Sequence, residues 1–383
     1  MTALLGFACG LLLAISDCEV SGWSWLPPLR RVLMALLVLA ALPIVLVRIN
    51  DAWRAATQPP LLFFTIFVAF ACGATMATDL WMFQSLQYTA GYALLEVAAI
   101  AVALSFPIER FVNWLVLSVT VRLTLSVALW VISPASADRF TGVYGNANPL
   151  GAAAGLGLLL AGLLLLTWPA GARRNVLWAI AAMALMMLWL SKSVSAAVAT
   201  MLTFGVLGVF RMLQRADTRR RDVRIIAGIA VASLLLFALV INQRPDLIGH
   251  LDARREWLRM VAGVVAGKPW LGYGVGSSPT LLYPIRTGVW SSAHNLYLEA
   301  SLYAGVGAGA IIFAFMAALI VTAFRAAARI RAAYPMVVVA VFYGWLSLME
   351  PVLLNAAPST LLLPLLSAAW LSTPGALGRE SWR

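Results

Sequence analysis

The chain predicts an all-α, polytopic integral membrane protein, and three features of the sequence carry that expectation. Of its 383 residues 62% are hydrophobic and 11% charged, with a mean hydropathy of +0.91, whereas soluble domains carry about 25% charged residues. The apolar residues come in runs close to the ~20 that one bilayer span requires. The basic residues fall in short clusters between those runs, as expected for charges that orient helices in a membrane. The formal net charge of +12 therefore predicts no nucleic-acid partner.

The first run, 1–17, has neither a basic leader nor a small-residue cleavage site, which predicts an uncleaved helix. The second, 32–48, lies between Arg30/Arg31 and Arg48. Runs at 61–78 and 90–107 follow, and Arg110 separates the latter from 111–133. Asn148 as an N-cap and Pro149 at the first helical position start 149–168. Arg173 and Arg174 precede 175–191, and the polar break Ser191-Lys192-Ser193 divides that run from 194–210. Beyond the basic stretch Arg211–Arg224 lies 224–242. After a long polar segment come 294–322, 334–350 and 353–372, with Arg325–Arg331 between the first two. The result is twelve helices in a single transmembrane domain, 1–383, with no repeat at a fixed period.

With both termini cytoplasmic, the inward connections and the C-terminal tail carry sixteen Lys and Arg. The outward ones carry ten, six of them in the long loop 243–293. That asymmetry follows the positive-inside rule. It gathers Tyr144-Gly-Asn-Ala-Asn-Pro149, Lys192 and the whole long loop on the outer face.

Within the loop, Leu251, Trp257, Met260 and Val264 recur at helical spacing, with Arg254, Arg255 and Arg259 off the stripe, which reads as an interfacial helix. Its arginines either touch lipid headgroups or clamp phosphate through guanidinium forks. Arg244, Arg254, Arg255, Arg259, Lys268 and Arg286 against Asp246, Asp252 and Glu256 leave the loop at +3, which suits an anionic ligand. The alternating glycines of Leu271-Gly-Tyr-Gly-Val-Gly-Ser277 offer backbone amides to a phosphate. With no strand before them, a flexible turn is the better reading. Lys192 either snorkels from a helix end or binds ligand. Glu96 and Arg122 lie inside predicted spans, where charge is expensive unless paired or facing water; either they pair, or Arg122 reaches the site.

Cys9, Cys18 and Cys72 show no paired spacing, and the two histidines have no clustered carboxylates. The sequence predicts no disulfide, metal or other cofactor. His294 opens the apolar run Ser292-Ala-His-Asn-Leu-Tyr-Leu-Glu-Ala-Ser-Leu-Tyr-Ala-Gly305 at the end of the polar loop. There a histidine, the side chain that changes charge between pH 5 and 8, meets water and lipid together.

That run resembles the signature of the O-antigen ligase and polymerase superfamily, in which a His-Asn pair precedes an apolar helix with Tyr-Leu and, about ten residues on, a glycine. His294, Asn295, Tyr297, Leu298 and Gly305 fit it. Two further stretches agree. One is an arginine shortly before a tryptophan and then a Pro-x-Leu-Gly-x-Gly turn, here Arg254 or Arg255, Trp257 and Pro269 to Gly274; the other is Gly-Asn-x-Asn-Pro-Leu-Gly, here Gly145 to Gly151. The resemblance spans about 140 to 310. The chain departs from the family at the outer helix break, where Ser193 is followed by Val194 instead of an arginine, with Lys192 before it.

The resemblance implies a GT-C-like, metal-independent, inverting glycosyltransferase of the bacterial inner membrane, with its active site periplasmic. Its donor would be a glycan on undecaprenyl diphosphate. Its acceptor would be lipid A-core in a ligase or another lipid-linked repeat unit in a polymerase, with membrane lipids and other polysaccharide-assembly proteins as further partners. His294 takes the role of general base; Arg254, Arg255 and Lys192 bind the diphosphate; Asn148, Asn295, Trp257 and Glu299 support them. The rival expectations are a flippase or transporter of the same lipid-linked sugar, and a non-enzymatic glycan-binding partner.

Overall fold

A computed structural model describes residues 1–15, 18, 25–78, 82–132, 139–144, 146–167, 172–214, 247–282, 292–351, 354 and 358–373, with the isolated positions 231, 235, 238 and 242. Among them no strand occurs, and eight helices are long and apolar enough to cross a membrane. In chain order the helices are α1 (Thr2–Ile15), α2 (Leu26–Val47), α3 (Ile49–Ala56), α4 (Pro59–Thr78), α5 (Met82–Ser105), α6 (Ile108–Ile132), α7 (Ala147–Thr167), α8 (Ala172–Ser191) and α9 (Val194–Gln214). They continue with α10 (Leu247–Gly267), α11 (Ser278–Leu282), α12 (Leu296–Ala304), α13 (Val306–Arg329), α14 (Tyr334–Ser347) and α15 (Pro358–Ser372). The eight are α2 and α4 to α9 with α13; α1 and α15 are shorter apolar helices. The predicted helix 224–242, and the calls on Gly145, Arg244, Asp246 and Arg286, fall outside the described residues apart from those isolated positions.

Helix α7 is buried on every side, with Leu150, Ala154, Leu156, Leu159, Leu160 and Leu164 all in the core, the pattern of a central helix. It packs against α6, α8, α9 and α14. Its glycines permit that closeness. A Cβ on Gly155 would strike Thr200, one on Gly157 would come within 2.7 Å of Val119, and one on Gly151 would strike Ser193. Small residues at helix contacts are how membrane helices approach one another. A second layer pairs α4 with α13 and α5 with α15, and α1 packs against α2 and α6. Outside, Leu39, Leu117 and Phe313 are exposed at 64%, 60% and 59%, an apolar exterior that water would penalise and lipid would not.

The predicted continuous helix 294–322 is divided. Gly305 has φ +85° and ψ 173°, so α12 stops there and α13 begins. The cause is a turn from the preceding loop. Tyr273 and Gly274 donate their N–H groups to the carbonyls of Leu302 and Tyr303 at 2.8 and 2.9 Å, and Val306 donates to Pro269 at 2.7 Å. A Cβ on Gly272 would lie 2.6 Å from the Leu302 carbonyl oxygen, and one on Gly305 would strike Trp270. In the glycine-rich run the Tyr273 and Gly274 amides are thus committed within the fold. They serve carbonyls that a helix end leaves open.

Candidate functional site

The starts of α7, α9 and α12 and the ends of α8 and α14 meet at one end of the bundle. Two non-glycine residues among the described ones have positive φ, Lys192 at +48° and His294 at +51°, and both lie at this end. Such backbone costs of order 1–3 kcal/mol and persists where the surroundings fix it. Around His294 they do. Asn295 is the N-cap of α12, accepting from the N–H groups of Tyr297 and Leu298 at 3.0 Å each, and its amide donates to Leu348 O at 3.1 Å. On the other side, the Ala293 N–H donates to Glu299 at 2.7 Å. Glu299, buried at 1% exposure, also receives the hydroxyls of Ser278 and Tyr303. Three donors satisfy its acceptor-only carboxylate.

Glu350 completes the site. Its Oε2 lies 3.2 Å from Nδ1 of His294. Its Oε1 accepts from Asn148 Nδ2 at 3.0 Å and Ser195 Oγ at 3.4 Å, and stands 3.9 Å from Arg254 Nη2. The carboxylate side chain is 12% exposed and the imidazole 26%, so the ring is the member that reaches outward. A neutral ring that donates Nδ1–H to the carboxylate would carry its lone pair on Nε2.

Asn148 is not the helix cap that the sequence predicts. Helix α7 starts at Ala147, and Asn146 Oδ1 accepts the Asn148 N–H at 2.9 Å, so the cap is two residues earlier. The Asn148 side chain is thereby released for the site. Its Oδ1 accepts from Arg139 Nη2 at 2.6 Å, and Arg139 Nε donates to Ser191 O at 3.0 Å. Ser193 Oγ lies 3.5 Å from both Asn148 Oδ1 and Ser195 Oγ. Lys192, partly exposed, adjoins Ser193 at the border of this network.

Helix α10 forms as expected, with Met260 and Val264 partly buried against the core. Trp257 and Val261 are fully buried and Val265 nearly so. Arg254, three residues before Trp257, shares its face instead of lying off the apolar stripe. Arg254 Nη2 donates to the His294 carbonyl at 3.1 Å, and Trp257 Nε1 donates to Ser292 O at 3.1 Å. Arg255 and Arg259 are exposed. The two arginines that the sequence leaves as alternatives thus occupy different surroundings, with Arg254 against the histidine and Arg255 in the open.

Glu96 and Arg122 are satisfied separately: Thr65 Oγ1 donates to Glu96 at 2.6 Å, and Arg122 donates to Ser118 Oγ at 2.8 Å. Sequence reasoning missed Glu350 and Arg139 as site residues. The signal for the first was a lone carboxylate at the end of an apolar run, just before Pro351; Arg139 stands in a short polar stretch between two apolar runs, with no local spacing that ties it to Asn148.

In chemical terms the site joins an outward-facing imidazole backed by a carboxylate, and cations from Arg139, Lys192 and Arg254. That set suits accepting a proton beside a developing negative charge. No protein-family model matches the chain, and no curated protein matches it.

Proposed function

We propose that this chain is a bacterial inner-membrane glycosyltransferase that moves a glycan from undecaprenyl diphosphate onto an acceptor saccharide, in the manner of an O-antigen ligase or polymerase. The observation that carries this reading is the 3.2 Å pairing of His294 with Glu350, with Arg254 on the same histidine. In this reading the bundle is a GT-C-like fold of about twelve spans forming one domain, with both termini cytoplasmic and His294 periplasmic. The basic residues Arg211, Arg325, Arg329 and Arg331 at the other ends of α9 and α13 support that orientation.

An acceptor hydroxyl attacks the anomeric carbon from the face opposite the diphosphate. The new C–O bond forms as the bond to the diphosphate oxygen breaks, and the leaving lipid diphosphate takes the electron pair. His294 Nε2 accepts the hydroxyl proton, with Glu350 stabilising the resulting imidazolium. Arg254 lies where negative charge grows on the leaving group, with Arg139 and Lys192 as further cations; stabilisation that strengthens in the transition state is what accelerates the step. Asn148, Ser195 and Glu299 are positioning residues, since each acts through His294 or Glu350.

A transporter reading is disfavoured by where the polar residues collect. Transporters place their sites at midplane breaks between two similar halves, whereas these residues sit at helix ends and the sequence shows no repeat. Purified protein in lipid, given lipid-linked oligosaccharide and an acceptor saccharide, should release undecaprenyl diphosphate and join the glycans. Vectorial movement of donor without release would overturn the proposal. Product length then separates a ligase, with one added block, from a polymerase, with a ladder.

A further inference from the structure

A second basic site stands at the far end of the bundle. Arg211 is in the last turn of α9, seventeen residues from Val194 and so about 26 Å along the helix axis from the Lys192 break. It is 6% exposed, and its guanidinium carbon lies 5.7 Å from the centre of the Tyr334 ring. Among the described residues its Nη1 has no hydrogen-bond partner. A guanidinium cannot shed its charge, and a buried charge without an acceptor is costly. The adjoining cleft is lined almost wholly by apolar side chains. Leu159, Leu163, Leu166, Phe204 and Leu207 line it, and its cavity holds about 30 Å³. Gly162 and Gly208 also line it.

We propose that Arg211 and this cleft bind an anionic phospholipid. The headgroup phosphate takes the unused N–H of Arg211 beside Tyr334, and an acyl chain lies along the apolar mouth of the cleft between α7 and α9. A free phosphate would satisfy the arginine and leave the apolar walls bare; a neutral hydrophobe would do the reverse. One molecule with a negative head and an apolar body meets both demands, and basic pockets between membrane helices bind such headgroups. Arg325, Arg329 and Arg331, all exposed at the same end, attract an anionic surface in general and provide the control.

The delipidated full chain is titrated with equimolar phosphatidylglycerol and phosphatidylcholine, and bound lipid is read by native mass spectrometry. Wild type and Arg325→Gln should retain phosphatidylglycerol with roughly fivefold preference, and Arg211→Gln should lose that preference. Millimolar glycerol phosphate should not displace the lipid. Equal retention of the two lipids by wild type, which needs no variant, would overturn the proposal. So would an undiminished preference in folded Arg211→Gln, or displacement by glycerol phosphate.

Discussion

The Glu350 carboxylate lies 3.2 Å from Nδ1 of His294 although 56 residues separate them in sequence. The same carboxylate takes a hydrogen bond from Asn148, 202 residues away. Three chain segments thus fix one imidazole. The carboxylate orients the ring, and the backbone at residue 294 is held at a positive φ of +51°.

If Nε2 accepts the acceptor proton, His294→Ala should lower the transfer rate by roughly 10²–10⁴-fold while leaving donor binding nearly unchanged. If the histidine acted only as a donor to the diphosphate, the same substitution would instead weaken donor binding. Near wild-type turnover by a normally inserted His294→Ala would remove the base assignment.

Replacing Glu350 with Gln keeps the shape and removes the charge that stabilises the imidazolium. If that cation forms on proton transfer, kcat should fall, by about tenfold or more, with KM little changed. Glu350→Asp should recover part of the loss. A change confined to KM would assign Glu350 to substrate binding instead.

Most helices were legible because apolar runs announce themselves. The run 111–133 is Ile108–Ile132, and 194–210 is Val194–Gln214 after the expected polar break. The break at Gly305 was not, since one glycine in an apolar run says little until the chain at Trp270 packs against it. His294, Asn148 and Arg254 were readable as polar residues near helix starts. Glu350 was hidden because its partners lie on other segments, and a pairing across the bundle leaves no local spacing. For Arg254, the three-residue offset from Trp257 was visible, but the His294 carbonyl that it reaches lies on a distant segment and leaves no local spacing.

Arg254 and Arg255 separate the clamp from the headgroup contact. Arg254 touches the His294 carbonyl and retains other N–H donors for a phosphate, whereas Arg255 is exposed. Arg254→Ala should weaken binding of a lipid-diphosphate donor by about 10- to 100-fold, the worth of a hydrogen bond to a charged group. Arg255→Ala should change it less than about threefold. Equal donor affinity in the two variants, measured in the same bilayer, would count against the clamp.

Glu299 offers the test of how the strained backbone is held. Its carboxylate gathers the Ala293 N–H and the hydroxyls of Ser278 and Tyr303 at a site with no exposure to speak of. Glu299→Gln keeps one acceptor oxygen but sets an amide N–H₂ against a hydroxyl or an N–H, so at least one donor loses its acceptor. The cost of such a loss is about 1–3 kcal/mol, and it falls on the peptide adjoining His294. Folding should survive with a lowered Tm, while kcat drops more than KM rises, because the imidazole loses its fixed direction and not its chemistry. Glu299→Ala, which removes every acceptor, should lower Tm further. A Glu299→Gln protein with reduced Tm and full kcat would show that the imidazole is aimed by Glu350 and Asn295 alone.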